Sequence, residues 1–285
     1  MDSVKISVLI TCYNRANYIE DAIESVLNSS FNDYELIIVD DNSTDGTQAI
    51  ISKYENKDSR IRLYYNESNL GQFKNRNYAV SLAKGDYIKF LDSDDILYSH
   101  GLDLFYNYAI HNNNVAAIIC SDILHDTVPY PIFLNPEQSY IKFYLESSFP
   151  TVGPSAILFK RSAFDKVGGF PDQSYVGSDI ELLLLLAAKF DILVIHSGLI
   201  WYRKHEGQEL FKGLQNNEYI LNDFQVYLKY IKSLDSPLKA NEKKLAINLL
   251  LIRNLKVSIK LFLSFKFALG YKLLKNIFSN KINIV

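Results

Sequence analysis

The chain has 285 residues, 48% of them hydrophobic, and a formal net charge of −2, which together exclude an intrinsically disordered protein and allow a substantial core. Its two cysteines, Cys12 and Cys120, lie in apolar runs, so we predict buried thiols in a reduced intracellular protein rather than a disulfide framework. The first residues lack the basic and long apolar segments of a secretory signal, so export is not predicted.

Strand and helix patterns alternate through the first 120 residues. Apolar runs bounded by turn formers predict strands at 4–10, 34–39, 61–65, 87–91 and 115–120. Apolar residues at helical spacing predict helices between them, and Asn17 with Glu20 has the spacing of a capping box. This alternation predicts an α/β fold with a mostly parallel sheet that is covered by helices on both faces.

The second half of the chain is less regular. Residues 123–150 contain four prolines and predict a connection with one helix near 137–146. A strand is predicted at 155–160 and a helix at 179–190. Five consecutive leucines, 182–186, predict that this last helix is buried on all sides, although the run is too short to span a bilayer.

Charge is distributed unevenly along the chain. Residues 1–225 carry 18 Lys or Arg against 30 Asp or Glu, whereas residues 226–285 carry 12 against 2. A change of that size predicts a boundary and a separate role for the tail. We therefore divide the chain into a larger α/β domain, 1–215, and a basic, amphipathic helical region, 216–285.

The predicted strand at 87–91 ends in three carboxylates within four positions, Asp92, Asp94 and Asp95. Like charges this close raise one another's proton affinity, so they stay ionised only beside a positive partner. A hard divalent cation with oxygen ligands fits that requirement, and the carboxyl end of a strand is where ligands collect in open α/β sheets. The alternative is a solvated acidic turn.

The ends of the first two strands carry Thr11, Tyr13 and Asp41. They offer an aromatic ring for stacking and a carboxylate for an imide N–H, which suits a flat heterocycle and its sugar; ordinary turn chemistry is the alternative. No glycine follows the first strand, so we predict neither a nicotinamide nor a flavin cofactor. The run from Asp41 to Gly46 resembles a calcium loop, but its twelfth position is Ser52, so we reject that site.

Four segments occur in the order of the motifs of glycosyltransferase family 2, and together they resemble that family over roughly residues 4–205. They are Ser7-Val8-Leu9-Ile10-Thr11-Cys12-Tyr13-Asn14, Ile38-Val39-Asp40-Asp41-Asn42-Ser43-Thr44-Asp45-Gly46-Thr47, Asn69-Leu70-Gly71 with Asn75-Arg76-Asn77, and Ala83 through Asp95. The resemblance implies the GT-A fold and inverting transfer from a nucleotide sugar.

The resemblance also implies roles for single residues. Thr11, Tyr13 and Asp41 would hold the base and ribose of the nucleotide. Arg76 would approach the nucleotide, or else be an exposed structural arginine. Asp92 would face the ribose or the waters of the metal, while Asp94, with Asp95, would bind Mn²⁺ or Mg²⁺. His205, in Trp201-Tyr202-Arg203-Lys204-His205, would reach the metal or the diphosphate, and Trp201 is either a sugar platform or core packing.

Asp179 is the catalytic base that the resemblance implies, in the segment Gly177-Ser178-Asp179-Ile180-Glu181. Family members more usually have Glu where this chain has Ser178. Ser178 and Glu181 have capping-box spacing, which leaves Asp179 on the first helical turn to face the cleft. The alternative is a carboxylate that only complements the helix dipole.

These features predict a metal-dependent inverting glycosyltransferase with a UDP-sugar donor and a glycan or lipid-linked saccharide acceptor, in the synthesis of bacterial surface polysaccharide. A nucleotidyltransferase would need a Gly-rich turn that is missing after the first strand. A catalytically silent nucleotide-sugar-binding or scaffold protein is the second alternative. No nucleic-acid partner is predicted.

The basic tail has a helical pattern from Leu245 to Phe278, with lysines and Arg253 set among Leu, Ile and Phe. An apolar stripe flanked by cations suits a helix that lies on an anionic membrane. We therefore predict a protein that is peripheral on the inner face of the plasma membrane, attached by residues 239–285. The alternative is a helix pair packed on the catalytic domain.

Overall fold

The computed structural model describes residues 4–124, 128–171, 177–205, 208 and 219–281, which fall into two compact units. The first comprises Met1–Asn135, Pro150–Ser174 and Ser178–Lys204, and the second Pro136–Phe149, Tyr175–Gly177 and His205–Val285. The boundary predicted at residue 215 lies outside the described residues. The grouping of 136–149 with the C-terminal helices was not predicted.

An eight-stranded sheet forms the centre of the first unit, with the strand order β3-β2-β1-β4-β8-β6-β9-β7. A two-stranded antiparallel sheet pairs β5 with β10. The strands are β1 Ile6–Cys12, β2 Tyr34–Asp40, β3 Ile61–Tyr65, β4 Tyr87–Phe90, β5 Ile96–Leu97, β6 Val115–Cys120, β7 Ile132–Leu134, β8 Ile157–Lys160, β9 Asp191–Ile195 and β10 Ile200–Trp201. The predicted α/β fold with a mostly parallel central sheet is confirmed.

Strand β8 runs antiparallel between β4 and β6, whereas β1, β2, β3 and β4 pair in parallel. The reversal matters for the site, because it brings the residues before β8 to the same edge of the sheet as the residues after β4. Ser155 precedes β8 and Asp92 follows β4, and Asp92 N donates to Ser155 Oγ at 2.9 Å.

Helices cover the sheet at the positions that the periodicity predicts, with two exceptions: the helix at Arg161–Val167 was not predicted, and the start of the first helix differs from the prediction. They are α1 Ile19–Leu27, α2 Thr47–Ile51, α3 Gln72–Leu82, α4 Gly101–His111, α6 Arg161–Val167 and α7 Ser178–Ala187 in the first unit, with α5 Pro136–Ile141 in the second. The capping box predicted at Asn17 is wrong: Tyr18 is the N-cap of α1, and no side chain caps that helix.

The core lies against both faces of the sheet. All seven residues of β2, and all of β1 except Thr11, are buried, as expected for central parallel strands that read as continuous apolar runs. Cys12 and Cys120 are buried free thiols in this core, as predicted. Burial raises the pKa of both thiols, so they stay protonated.

The second unit is helical. After α5 and a π-helical turn, Lys142–Glu146, its helices are α8 Tyr219–Lys232, α9 Ala240–Leu263 and α10 Phe267–Lys281. The last two form a hairpin, in which Ser258 Oγ donates to Gly270 O at 2.8 Å. Tyr144 Oη donates to Tyr227 O at 3.2 Å and fastens the π-helical turn to α8. Among the described residues, no helix is both long and apolar enough to cross a membrane.

Candidate active site

The carboxyl ends of β2, β1 and β4 define the edge of the sheet where the candidate site lies. The chain passes from β1 to β2 on one side, while β4 lies on the other side of β1, so the strand order reverses between β1 and β4. Ligands of open α/β sheets bind in the crevice at such a reversal. Six of the predicted site residues end or follow these strands: Thr11, Tyr13, Asp41, Asp92, Asp94 and Asp95.

The loop after β1 is held against the loop after β2 by hydrogen bonds from both sides. Asn14 N donates to Ser43 Oγ at 2.8 Å, and Thr44 N donates to Asn14 Oδ1 at 2.9 Å. Asn14 and Asn42 have left-handed backbones, with φ of 53° and 65°, which asparagine tolerates better than most residues. The polar residues here therefore do form turns, and Tyr13 projects from them with 46% of its surface exposed.

Asp41 is buried and holds the loop that precedes α3. Its Oδ1 accepts hydrogen bonds from Asn66 Nδ2 and Leu70 N, both at 2.8 Å, and its Oδ2 accepts one from Gly71 N at 3.0 Å. A carboxylate has about four acceptor positions, so Oδ2 can accept one more N–H. Asp41 N also donates to Cys12 O at 2.8 Å, which places Asp41 beside the segment with Thr11 and Tyr13. Recognition of a base by these residues stays a prediction.

The three aspartates after β4 each meet a different arginine. Asp92 Oδ1 accepts from Arg76 at 2.6 Å, and Asp94 Oδ2 lies 3.4 Å from Arg15 Nε. Asp95 Oδ1 accepts from the backbone N–H of Arg203 at 3.2 Å. The alternative of a solvated turn is wrong, because Asp94 and Asp95 are buried. Asp92 and Asp94 therefore have arginine guanidiniums as the positive partners that the sequence argument required, whereas the partner of Asp95 Oδ1 is a neutral backbone N–H.

One oxygen of this cluster has no partner. Asp95 Oδ2 is buried and accepts no hydrogen bond. Burial, reinforced by the nearby carboxylates of Asp92 and Asp94, raises the pKa of Asp95 to about 7. A carboxylate oxygen in this condition fits a hard cation, whose charge would replace the missing partner. In the described part of the chain, however, no group of three or more His, Cys, Asp or Glu side chains is arranged to hold a metal ion.

Arg76 connects this cluster to the predicted base. Its Nη2 donates to Asp92 Oδ1 at 2.6 Å, and its Nη1 donates to Asp179 Oδ1 at 3.0 Å. The guanidinium is buried among Phe73, Phe90 and Phe170, whose ring centroids lie 5.5 to 6.0 Å from Arg76 Cζ. The alternative of an exposed structural arginine is therefore wrong. The two aspartates partly offset the cost of burying the charge.

Asp179 lies in the first turn of α7, and its side chain is 27% exposed. Partial burial raises the pKa of Asp179 to about 6; Arg76 opposes this rise, and Asp92 adds to it. Such a carboxylate is mostly ionised at neutral pH and binds a proton more tightly than an exposed aspartate, which suits a general base. Asp179 and Asp92 share one guanidinium, so the base candidate does lie beside the aspartate cluster.

Arg203 is a functional candidate whose contacts the sequence did not reveal. Its Nε donates to Asp94 O at 3.0 Å, and its Nη2 donates to Asp21 Oδ2 at 2.8 Å. Its guanidinium lies over the ring of Trp201, with Cζ 4.9 Å from the ring centroid. The pairing of β5 with β10 makes these contacts possible, because it brings the segment after Trp201 next to Asp94 and Asp95.

Lys89 is a second residue that the sequence reasoning missed. It is fully buried in β4, and its Nζ donates to Phe90 O at 2.8 Å and to Ser155 O. Burial lowers the pKa of Lys89 to about 8. The signal was present in the sequence, because a lysine inside a buried strand must find acceptors. Lys89 holds the carbonyl of Ser155, and the hydroxyl of Ser155 accepts from Asp92 N. Lys89 therefore supports the position of the aspartate cluster.

His205 belongs to the second unit, where its backbone N–H donates to Gln208 Oε1 at 3.4 Å. Its predicted contact with a metal or diphosphate stays a prediction. The first unit therefore contains the predicted nucleotide residues, the aspartate cluster and the base candidate.

This mostly parallel central sheet, covered by helices, is the GT-A fold, as comparison with solved structures shows. TarS from S. aureus, residues 1–349, matches with a TM-score of 0.66 and 20% identity over 88% of this chain and 72% of that one. A mannosyltransferase from Pyrobaculum calidifontis, in complex with GDP-Man and Mn²⁺, matches with a TM-score of 0.60 and 19% identity over 82% of this chain and 66% of that one.

The family model for glycosyl transferase family 2 matches residues 7–168, which is more than half of the chain. The chain therefore belongs to glycosyltransferase family 2. A putative teichuronic acid biosynthesis glycosyltransferase, TuaG, of Bacillus subtilis is 50% identical over 90 residues, 32% of this chain and 36% of that protein. Glycosyltransferase GlyG of Streptococcus pneumoniae is 27% identical over 71% of each chain.

The matches to several curated relatives cover only part of those proteins. An uncharacterized glycosyltransferase of Rickettsia felis is 31% identical over 78% of this chain but only 38% of its own length. The match with an uncharacterized glycosyltransferase of Haemophilus influenzae covers 46% of that protein. The match with this chain therefore leaves more than half of each of these two relatives uncovered.

Proposed function

We propose that this chain transfers a sugar from a nucleoside-diphosphate donor to an acceptor hydroxyl, with inversion at the anomeric carbon. The observation that carries the proposal is the buried guanidinium of Arg76, which joins Asp92 of the aspartate cluster to the base candidate Asp179. Donor and base are thereby assigned to one crevice at the edge of the sheet. Structural neighbours solved with UDP-GlcNAc, with UDP and with GDP-Man support a nucleotide-sugar donor.

The nucleotide is assigned to the loops after β1 and β2. The exposed ring of Tyr13 is available for stacking on a base, and Asp41 Oδ2 can accept one more N–H, such as the imide N–H of uracil. Thr11 and Asp92 complete the contacts to base and ribose. UDP is our first choice of nucleotide, because an imide N–H is the donor that Asp41 would require.

The diphosphate would be neutralised by Mn²⁺ or Mg²⁺ held by Asp94 and Asp95. The buried, unpartnered Asp95 Oδ2 supports this assignment. Such a cation, when bound, stabilises the negative charge that develops on the departing diphosphate. Asp94 would then exchange its contact with Arg15 for a contact with the cation.

Asp179 would accept the proton of the acceptor hydroxyl. As the hydroxyl oxygen bonds to the anomeric carbon, the bond from that carbon to the diphosphate breaks, and its electron pair leaves with the diphosphate oxygen. Arg76 holds Asp179 Oδ1, which leaves Oδ2 for the proton. A pKa of about 6 keeps about nine-tenths of this carboxylate ionised at pH 7.

The test is a screen of nucleotide sugars with Mn²⁺, scored by released nucleoside diphosphate. Asp94→Ala should abolish turnover and weaken donor binding, whereas Asp179→Asn should lower the rate about 10² to 10⁴-fold and spare donor binding. Asp165→Asn, at an exposed acid of α6, is the matched control and should change neither. Wild-type activity that Asp179→Asn leaves intact would refute the base assignment, and donor binding without turnover would favour the silent binding protein.

We further propose an acceptor of the bacterial surface, either a glycan or a lipid-linked saccharide, and attachment of residues 239–285 to an anionic membrane. The name of the Bacillus subtilis relative supports the first part. For the second, Leu245, Ile252 and Ile259 are exposed along α9 among its cations. Anionic lipid attracts each such cation with about 1 kcal/mol.

Flotation with anionic liposomes tests the attachment. The full chain should float with the liposomes, and a chain that ends at residue 238 should not. Equal recovery of both chains in the liposome fraction would refute it.

A further inference from the structure

A groove of about 400 Å³ lies between α8 and α9 of the second unit. This volume falls within the roughly 300–1,000 Å³ typical of small-molecule sites. The floor of the groove is apolar: Phe224, Tyr227, Leu250 and Leu261 are buried and line it. The floor therefore suits a hydrocarbon chain rather than a hydrated ion.

The rim of the groove is cationic. Among the described residues, Arg253, Lys260 and Lys266 line it, and Asp223 is the one acid. Within the described part of the chain, Arg253 and Asp223 make no hydrogen bond or ion pair within 4 Å, although Arg253 influences the carboxyl electrostatically. The two groups of opposite charge line one groove without an ion pair between them, so the Arg253 guanidinium is available to an anionic ligand.

Exposed apolar residues continue from the groove to the tip of the α9–α10 hairpin. Leu263, the last residue of α9, is 77% exposed, and Phe265, which follows the helix, is 82% exposed. Lys266 lies between Phe265 and Phe267, whose rings contact each other. A lipid surface matches this alternation, because acyl chains accommodate the apolar groups while phosphates meet the cations.

We propose that this groove binds one anionic phospholipid, with the headgroup phosphate against Arg253, Lys260 and Lys266 and an acyl chain along the apolar floor. The proposal rests on the membrane attachment proposed above and names the lipid that it recognises. A free phosphate has the same headgroup chemistry but would leave the floor empty, so the experiment separates the two sources.

Asp223 makes the site sensitive to pH. The other groups that line the groove and can carry charge are Arg253, Lys260, Lys266 and Tyr227, and burial raises the pKa of Tyr227 above its usual value. Burial also raises the pKa of Asp223 to about 7, with Arg253 opposing the rise. Above that pH the ionised carboxylate repels an anionic headgroup, so lipid binding should weaken from pH 6 to pH 8.5.

Isothermal titration of the full chain with short-chain phosphatidylglycerol, below its micelle concentration, tests the site. This headgroup keeps one negative charge across that pH range. Arg253→Gln should weaken binding about tenfold or more, as expected for a lost charged hydrogen bond. Lys256→Gln is the matched control, because it removes the same charge one turn away on α9 without lining the groove, and it should bind normally.

A second variant guards against loss of folding. Val257→Trp should fill the groove and abolish lipid binding, while the thermal midpoint shows that the helices remain folded. Asp223→Asn should remove the pH dependence. Equal affinities of the Arg253 and Lys256 variants, or equal binding of short-chain phosphatidylcholine, would overturn the proposal. Inorganic phosphate that binds as tightly as the lipid would overturn it too, in favour of a free-anion site.

Flotation with anionic vesicles separates this proposal from the attachment on which it rests. If Arg253→Gln and wild type both float but bind the short-chain lipid equally, the groove assignment fails and the attachment stands. If neither floats, the attachment fails.

Discussion

The crevice of the first unit and the groove of the second differ in how they treat their charges. In the crevice, Asp92 and Asp94 each form an ion pair with an arginine, and even the buried Arg76 has two carboxylate partners. In the groove, Arg253 and Asp223 make no ion pair among the described residues. The charges in the crevice therefore contribute to folding as well as to function. Those in the groove form no ion pair with each other that would stabilise the fold.

The largest effect should follow from Arg76→Met, which breaks the crevice pairs. It should lower the free energy of unfolding by about 3 kcal/mol, the low end for broken buried ion pairs, because both aspartates keep partial contact with solvent. Loss of the guanidinium should also raise the pKa of Asp179 further and slow turnover at pH 7. Denaturant unfolding measures the first effect. Arg161→Met, which breaks an exposed pair with Asp165, should cost less than about 1 kcal/mol.

Lys89→Met tests the support beneath the aspartates. The variant leaves the carbonyls of Phe90 and Ser155 without this donor, so we expect a loss of about 1–3 kcal/mol in unfolding free energy. Donor binding should weaken as well, since Ser155 positions Asp92. Lys160→Met is the control, because the hydrogen bond that it removes, from Lys160 Nζ to Asn113 O, is exposed to solvent. A Lys89 variant with unchanged stability and donor affinity would contradict the supporting role.

The pH dependence of kcat/KM tests the assignment of Asp179 as the general base. The expected effect is smaller and changes gradually with pH. Asp179 must be ionised to accept a proton, and its pKa is raised to about 6, so kcat/KM should fall about tenfold per pH unit below 6 and level off above it. Steady-state rates between pH 4.5 and 8 measure this. A profile that stays flat down to pH 4.5 would show that Asp179 has the pKa of an ordinary exposed aspartate.

The smallest effect is expected in the groove. Arg253→Gln should change the free energy of unfolding by less than about 0.5 kcal/mol, as for most surface substitutions, and should leave nucleotide-sugar turnover unchanged. A loss comparable to that of Arg76→Met would show that Arg253 does contribute to folding, and the contrast between the two regions would disappear.

The strands were predictable because their signal is local. Ile61–Tyr65 and Val115–Cys120 were predicted with the bounds that the structure has, since apolar runs bounded by turn formers suffice to define them. The start of α1 was not, because the carbonyl of Arg15 accepts from Tyr18 N and Ile19 N and replaces the expected side-chain cap at Asn17. The direction of β8 was also not predictable, because β8 lies inside the sheet and its apolar run resembles that of a central parallel strand.

The candidate site likewise has one part that the sequence reveals and another that depends on the tertiary fold. The aspartates 92, 94 and 95 are adjacent in sequence, so their cluster was visible from the start. The partner of Arg76 lies 103 residues away, and only the pairing of the strands brings Asp179 to it. Contacts of that length need the tertiary fold, and the burial of Arg76 could not be read from a helix whose sequence is polar on most sides.

One guanidinium shared by two carboxylates has a thermodynamic consequence. Whatever changes the charge at Asp92, such as a ligand that replaces Arg76 as its partner, must also change the proton affinity of Asp179. Protonation of Asp179 must in turn change the affinity for that ligand by the same free energy. Ligand binding at Asp92 and protonation of Asp179 are therefore coupled through Arg76, and each affects the other by the same free energy.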